Sequence, residues 1–235
     1  MIREAIVLAG GLGTRLREAV PDLPKCMAPV AGKPFLEYLI QAYEQKGIER
    51  FILSLGYKAD FVINHFQSRI NSVALDFVIE KEPLGTGGAI MLCLEKVKAA
   101  DVLILNGDTF YDADLALLFA DHQKLQTECT LTLKPMINFD RYGAVQIDTN
   151  NMVQSFFEKR HYDEGLINCG VYAANAEKLR KHRFAEKFSF EKEYLEVYCK
   201  DQLIGASIQD KYFIDIGIPS DYDRAQIEIP EQINK

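Results

Sequence analysis

Four runs of apolar residues in the first half of the chain have the length of β-strands, and segments with helical periodicity lie between most of them. The runs comprise residues 3–8, 50–55, 74–79 and 102–106. Apolar side chains recur at helical spacing in three stripes, at residues 36–43, 59–66 and 90–97. Such a stripe predicts a helix with one face packed against a sheet. Strands that alternate with amphipathic helices predict parallel βαβ units in a three-layer α/β/α sandwich.

The second half of the chain has a different pattern, with strand-like runs that follow one another without helical segments between all of them. These runs comprise residues 131–134, 142–148, 152–157 and 167–174. The turn-forming residues 148–151 separate the middle two runs and predict a hairpin. We therefore expect antiparallel strands to join a sheet that begins as parallel, so that the central sheet is mixed and mostly parallel. A chain of 235 residues is long enough for one large α/β domain, and we predict a single domain over residues 1–235.

Composition narrows the class of function. A formal net charge of −7 argues against nonspecific binding of nucleic acid, which requires a basic face. The five cysteines are far apart and odd in number, as expected for free thiols in a reducing compartment. The apolar run near the amino terminus is too short for a signal peptide or a membrane span. We therefore expect a cytoplasmic protein that uses no membrane and no nucleic acid.

A glycine-rich segment follows the first apolar run directly. Residues 9–16 read Ala-Gly-Gly-Leu-Gly-Thr-Arg-Leu, and Pro24-Lys25 follow a few residues later. Glycine backbone can approach phosphate oxygens closely, and Arg15 and Lys25 can supply positive charge. This segment predicts a polyphosphate site, although a tight turn with two solvated cations is the alternative. Neither a Walker A loop nor the dinucleotide fingerprint fits the spacing.

Two aspartates follow strand-like runs in distant parts of the chain. Asp108 comes directly after the run 102–106, in Asn-Gly-Asp-Thr, and Asp215 lies in the apolar segment 213–218. A carboxylate at the carboxyl end of a central strand can hold Mg²⁺ against phosphate oxygens. For Asp108 alone, an Asx turn or helix cap is an equally good interpretation. The charge of Asp215 among apolar neighbours requires a partner, and metal coordination would provide one.

Two other segments have residues suited to binding. Residues 83–89 form a second glycine-rich turn before a helical segment, where a plain loop and helix cap is the alternative. Glu158, Lys159 and Asn168 could donate to or accept from sugar hydroxyls, although solvated pairs are at least as good an interpretation. The four histidines show no spacing typical of a metal site or a catalytic triad.

Six ordered motifs together resemble the sugar-1-phosphate nucleotidyltransferases, and the resemblance spans nearly the whole chain. The motifs lie at residues 10–16, 24–38, 85–89, 106–108, 158–159 with 168–172, and 215–217. Within this family, residues 24–38 look most like the subfamily that acts on D-glycero-D-manno-heptose 1-phosphate with guanylyl transfer. The resemblance implies a Rossmann-like nucleotidyltransferase fold with an antiparallel sugar-binding portion. It also implies a nucleotide-binding half at about residues 1–110 and a sugar-phosphate-binding half at about 111–235.

The resemblance assigns roles by position. The implied catalytic residues are Arg15, Lys25 and Asp108. The implied nucleotide-binding residues are Leu8, Ala9, Gly10, Gly11, Gly13, Thr14, Arg15, Gly85, Thr86 and Gly88. The implied sugar-phosphate-binding residues are Lys25, Gly143, Glu158, Lys159 and Asn168. Asp108 and Asp215 are the implied ligands of Mg²⁺.

The implied reaction joins a nucleoside triphosphate, with GTP expected, to a sugar 1-phosphate and releases pyrophosphate. Its expected product is GDP-heptose, a precursor of bacterial capsule or lipopolysaccharide. The chain departs from the hexose thymidylyl- and uridylyltransferases at Glu18, where they carry proline, and in the second glycine turn, which leaves UTP, CTP or dTTP as alternatives. A nucleotide-sensing subunit without catalysis is an alternative from another class. The chain shows no hexapeptide repeat of the trimerising β-helix found in some relatives, so an oligomer such as a homodimer would use another surface.

Overall fold

The strands and helices follow the predicted order. The structure is a computed structural model that describes residues 1–11, 20, 22–67 and 73–233. The strands are β1 (Glu4–Leu8), β2 (Pro29–Val30), β3 (Lys33–Pro34), β4 (Arg50–Leu55), β5 (Ala74–Ile79), β6 (Asp101–Asn106), β7 (Thr109–Tyr111), β8 (Cys129–Phe139), β9 (Val145–Ile147), β10 (Val153–Phe156), β11 (Tyr162–Asn175), β12 (Ile204–Ile208) and β13 (Phe213–Asp215). The α-helices are α1 (Phe35–Gln45), α2 (Ala59–Gln67), α3 (Gly85–Leu94), α4 (Leu115–Leu125), α5 (Ala176–Leu179), α6 (Glu196–Tyr198) and α7 (Pro219–Ile233). Short 3₁₀ turns at Lys25–Met27 and Cys199–Asp201 and a π-helical turn at Phe190–Leu195 complete the described elements.

The central sheet contains strands from both halves of the sequence. Its seven strands lie in the order β12-β8-β11-β6-β1-β4-β5. Strand β11 is antiparallel to β6 and β8, whereas the other neighbouring pairs are parallel. The predicted mixed, mostly parallel sheet is therefore confirmed.

Helices cover both faces of this sheet, so the central strands are apolar on both sides. In β6, Leu103 and Leu105 pack into one core, and Val102 and Ile104 pack into the other. A strand buried on both faces has a continuous apolar run instead of an alternating pattern. This explains why the strands of the first half were visible in the sequence, and the predicted three-layer arrangement is confirmed.

In the second half, β8 and β11 are longer than the sequence predicted, whereas β9 and β10 are shorter. Strand β8 continues past residue 134, because residues 134–139 pair with β11 as a ribbon at the end of the sheet. Much of this ribbon is exposed, and Ile137 is 78% exposed. Its residues therefore lack the apolar pattern that marks a buried strand. The predicted hairpin is present as the antiparallel pair β9–β10.

All five cysteines lie within the described part of the chain and are buried free thiols, as expected. Among the helices in the described ranges, no helix has the length and apolar character needed to cross a membrane.

Candidate active site

A cleft of about 760 Å³ opens at the edge of the sheet where β1, β4, β5 and β6 end. Parallel strands bring their carboxyl ends to the same edge, and the loops that follow them form the walls of the cleft. The lining residues lie at positions 8–11, 25–26, 56–57, 80–83, 85–86, 89 and 106–108. Eight residues predicted from the sequence therefore line one cleft: Leu8, Ala9, Gly10, Gly11, Lys25, Gly85, Thr86 and Asp108.

Lys25 lies between the two predicted metal carboxylates. Its Nζ atom is 2.6 Å from Asp108 Oδ2 and 3.4 Å from Asp215 Oδ1. The lysine side chain is only 12% exposed, whereas the Asp108 side chain is 41% exposed. The structure thus brings together three charged residues that are far apart in sequence. Two carboxylates and one ammonium leave one negative charge uncompensated at this point.

Short backbone connections hold Asp108 and Asp215 in place. The turn after β6 passes so close to β1 that a Cβ atom on Gly107 would lie 2.5 Å from the Leu8 carbonyl oxygen. Only glycine fits there, and Asp108 follows directly. Strand β13 pairs with β7 and sets Asp215 opposite Thr109. The Gly217 amide also donates to Asp215 Oδ1 at 2.7 Å, which fixes the carboxylate orientation.

The first glycine loop is described only in part. Gly10 and Gly11 lie at the cleft, and among the residues that the structure describes, no atom would lie within 4 Å of a Cβ atom on Gly11. Gly13, Thr14 and Arg15 fall outside the described residues.

The second glycine turn has a different environment. Gly85 has a φ of +72°, and a Cβ atom there would lie 2.5 Å from the Phe188 carbonyl oxygen. A Cβ atom on the buried Gly88 would lie 2.3 Å from the Glu186 carbonyl oxygen. The Thr86 hydroxyl donates to Glu191 at 2.6 Å and accepts from the Phe190 amide. Gly85 and Thr86 line the cleft, but Gly88 faces the packed segment 184–191 instead.

The predicted sugar-binding residues other than Lys25 lie outside the lining of this cleft. Asn168 lies in β11 two residues before Gly170, which packs against the side chain of Asn106 at the end of β6. Asn168 Oδ1 accepts from the Gly170 amide, which orients its side chain. Gly143 packs against the Phe157 carbonyl oxygen. Glu158 and Lys159 are exposed on the connection that follows β10.

Sequence reasoning missed Glu80, which follows β5 and forms part of the cleft wall. Its carboxylate accepts from the Ser54 hydroxyl at 2.9 Å and from the Leu84 amide at 3.1 Å. A Cβ atom on Gly10 would lie 2.6 Å from Glu80 Oε1, so the carboxylate packs directly on the first glycine loop. Tyr57, which follows β4, was missed as well. The rule that loops after parallel strands carry function could have found both residues.

Cys26 lies beside Lys25 but is not suited to nucleophilic chemistry. Burial and the nearby charge of Asp108 raise the pKa of its thiol to about 12. A thiol with this pKa stays protonated at neutral pH, and the thiolate is the reactive form. Within the described residues, no group of three or more His, Cys, Asp and Glu side chains could hold a metal ion. Asp108 and Asp215 form an acidic pair beside Lys25.

A family model described as nucleotidyl transferase matches residues 4–232. The chain therefore belongs to the nucleotidyl transferase family. The predicted membership of this family of enzymes is confirmed.

Full-length similarities narrow the relationship. The chain is 45% identical over 230 residues to D-glycero-alpha-D-manno-heptose 1-phosphate guanylyltransferase of Aneurinibacillus thermoaerophilus, covering 98% of this chain and 100% of that protein. It is 44% identical over 219 residues to the protein of the same name from Campylobacter jejuni, covering 93% and 96% of the two chains. The crystal structure of HddC from Yersinia pseudotuberculosis complexed with GMP-PN has a TM-score of 0.85 and 37% identity, covering 96% of this chain and 98% of that one. The resemblance to the heptose 1-phosphate guanylyltransferases is thereby confirmed.

Proposed function

We propose that this enzyme transfers guanylyl from GTP to D-glycero-D-manno-heptose 1-phosphate, giving GDP-heptose and pyrophosphate. The observation that carries the proposal is Lys25, which lies between Asp108 and Asp215 at the strand ends that form the cleft. The full-length similarity to heptose 1-phosphate guanylyltransferases supports the choice of both substrates.

In this reaction an oxygen of the sugar phosphate attacks the α-phosphorus of the triphosphate. The new phosphorus–oxygen bond forms as the bond to the β-phosphate oxygen breaks, and pyrophosphate leaves with the electron pair. The attacking phosphate is already ionised at neutral pH, so no general base is needed. The main barrier is repulsion between two anions. Lys25 reduces this repulsion within the cleft, and we assign the same role to Arg15.

The residues present fit a divalent cation. Carboxylate oxygens are the ligands that Mg²⁺ prefers, and two of them contact one ammonium group in this structure. We propose that Asp108 and Asp215 hold Mg²⁺, which supplies positive charge against the phosphate oxygens when bound. Lys25 then orients both carboxylates and remains near the sugar phosphate. Activity should be lost on treatment with EDTA and restored by excess Mg²⁺.

Glu80 offers a physical basis for choosing guanine. Guanine presents two neighbouring N–H donors on one edge, and a carboxylate can accept both. Glu80 lies on the cleft wall and is held by Ser54 and Leu84, so its orientation is fixed before a nucleotide arrives. We propose that Glu80 reads the base, while backbone at residues 8–11 and 85–86 lies beside the nucleoside. Gly13 and Thr14 are assigned to the triphosphate by the family resemblance.

The sugar side is assigned to the second half of the chain. We propose that Asn168, Gly143, Glu158 and Lys159 contact the sugar and its phosphate. Asn168 supports this because its side-chain oxygen accepts from the Gly170 amide, and Gly170 packs against Asn106 at the end of β6. The chain would act as a cytoplasmic enzyme, and sedimentation velocity would test the predicted homodimer.

The decisive experiment measures pyrophosphate release over a grid of nucleoside triphosphates and sugar 1-phosphates. We expect turnover with GTP and D-glycero-D-manno-heptose 1-phosphate to exceed turnover with every other pair. Preference for UTP, CTP or dTTP, or for a hexose 1-phosphate, would overturn the substrate assignment. Binding of GTP by calorimetry without turnover of any pair would instead favour a nucleotide-sensing role.

A further inference from the structure

The loop before β9 contacts both flanks of the segment that carries Asp215. Arg141 forms an ion pair with Asp221, in the first turn of α7. The adjacent Tyr142 packs edge-on against Phe213 in β13, with ring centroids 5.4 Å apart. Asp215 lies between Phe213 and Asp221 in sequence. Two consecutive residues, Arg141 and Tyr142, therefore contact the chain before and after this carboxylate. We call this pair of contacts the grip.

The side chains that form the grip are buried or half-buried. The Asp221 side chain is only 8% exposed, and a carboxylate with so little contact to water needs a cationic partner. The Arg141 guanidinium also lies over the Tyr142 ring, 5.5 Å from its centroid, which couples the two residues of the grip. Burial raises the pKa of Tyr142 to about 12, so its ring carries no charge at neutral pH.

The inner side of Asp215 is fixed separately. Lys25 and the Gly217 amide both contact Oδ1, and the pairing of β13 with β7 sets the backbone. The grip from Arg141 and Tyr142 acts on other residues of the same segment, Asp221 and Phe213. Tyr142, the second residue of the grip, directly precedes Gly143, which we assigned to the sugar-binding side of the site. The same loop thus contributes to the proposed sugar pocket and contacts the segment that carries Asp215.

We infer that Arg141 is a positioning residue, whose ion pair with Asp221 holds the segment 213–221 so that Asp215 stays beside Lys25 and Asp108, where the proposed divalent cation would bind. The inference rests on the proposed function, because it takes Asp215 as a metal ligand. Residues that orient metal ligands without touching the metal commonly change metal affinity when replaced. Arg141 would therefore tune metal binding from outside the lining of the cleft.

Arg224 provides a matched control. Its Nη1 atom lies 3.2 Å from Oδ1 of the same Asp221, so it supplies a second cation to the same carboxylate. Arg224 belongs to α7 itself, however, and its contact does not connect α7 to another part of the fold. Replacing Arg224 removes charge near Asp221 without opening the grip. Replacing Arg141 opens the grip and leaves Asp221 with one cationic partner, which limits the loss of stability.

The experiment compares Arg141→Met, Arg141→Lys and Arg224→Gln with the unaltered enzyme. Mn²⁺ is titrated into each protein and the free ion is followed by electron paramagnetic resonance. Turnover is then measured against Mg²⁺ and against GTP. For Arg141→Met we expect about a tenfold rise in the Kd for Mn²⁺ and in the half-saturating Mg²⁺ concentration, with the KM for GTP unchanged. Arg141→Lys should recover part of the loss, and Arg224→Gln should stay within about twofold of the unaltered enzyme.

The outcomes separate the inference from the proposed function. Equal effects of Arg141→Met and Arg224→Gln on Mn²⁺ affinity would overturn the role of Arg141. If Asp215→Asn bound Mn²⁺ normally, the metal assignment itself would be wrong, whatever Arg141 does. Should Arg141→Met fail to fold, Tyr142→Leu opens the other half of the grip without a change of charge. A Tyr142→Leu enzyme with unchanged Mn²⁺ affinity would then overturn the inference, and weakened binding would support it.

Discussion

The two glycine-rich turns of this protein look alike in sequence but have opposite surroundings. At the first turn, a Cβ atom on Gly11 would have no atom of the described residues within 4 Å, and Gly11 is exposed at the cleft. At the second turn, Gly88 is buried and a Cβ atom there would lie 2.3 Å from the Glu186 carbonyl oxygen. The first turn leaves room for a ligand, whereas part of the second turn leaves room for the protein itself.

The difference shows that glycine-rich sequence has two physical meanings. A glycine can allow a ligand to approach the backbone, or it can allow another segment of the chain to do so. At the second turn, the segment 184–191 comes from the second half of the sequence and supports α3 from behind. The part of the cleft that we propose for the nucleotide is therefore shaped partly by residues from the second half of the sequence. Substitutions on the cleft side should therefore change mainly the kinetics, and substitutions on the packed side should change mainly the free energy of unfolding.

The largest expected effect comes from the cleft side, at Asp108. Asp108→Asn keeps the shape of the side chain but removes the charge that Lys25 contacts and that we assign to Mg²⁺. We expect turnover to fall about 100-fold or more, with the unfolding temperature nearly unchanged. Steady-state kinetics over a Mg²⁺ series and thermal unfolding measure both. Undiminished turnover in this variant would remove the metal assignment.

The next effect comes from the packed side, at Gly88. Gly88→Ala forces a methyl group against the backbone of Glu186, which cannot move without shifting the whole segment. We expect the free energy of unfolding to fall by about 1–3 kcal/mol, measured by urea denaturation. A variant as stable as the unaltered enzyme would show that the segment 184–191 moves aside at little cost.

Thr86 belongs to both environments. It lines the cleft, and its hydroxyl forms hydrogen bonds with the segment 184–191. Thr86→Val keeps the volume but leaves the Phe190 amide without this acceptor and Glu191 without this donor. We expect a loss of about 1 kcal/mol in the free energy of unfolding, and a higher KM for GTP. Thr149→Val, in an exposed turn, serves as the control. If only stability changed and the KM for GTP did not, the packed segment would have no influence on the nucleotide side.

The smallest expected change in stability comes from the open turn, at Gly11. Gly11→Ala is the same chemical change as Gly88→Ala but places its methyl group in open space. We expect the free energy of unfolding to change by less than about 0.5 kcal/mol. The KM for GTP should rise, because the methyl group occupies the space proposed for the nucleotide. A large loss of stability together with an unchanged KM would reverse the comparison of the two turns.

Much of the fold was predictable from local patterns. Helices α1 and α2 and the buried strands of the first half appeared where the apolar spacing indicated them. The ribbon at residues 134–139 did not, because its side chains are largely exposed and follow no apolar rhythm. The β7–β13 pair also gave no signal, since each of its strands has three residues.

The candidate site was predictable in its residue types more than in its contacts. Asp108, Lys25 and the glycines at strand ends follow from the rule that such loops carry ligands in an open α/β sheet. Glu80 follows from the same rule but was overlooked among ordinary surface carboxylates. The packing of Gly88 against Glu186 could not be foreseen, because a glycine leaves no mark of what approaches it.

Periodicity and strand-end motifs are local properties. The amino-acid sequence was therefore sufficient to predict the class of fold and the family, and to identify Lys25, Asp108 and Asp215 as candidate site residues. The sequence did not predict which charged residues contact each other. Lys25 contacts carboxylates 83 and 190 residues further along the chain, and no local pattern encodes such contacts. They arise because β6, β7 and β13 pack at one edge of the sheet, where distances depend on the whole core. The tertiary structure therefore decided which glycines lie at the open cleft and which pack against the protein.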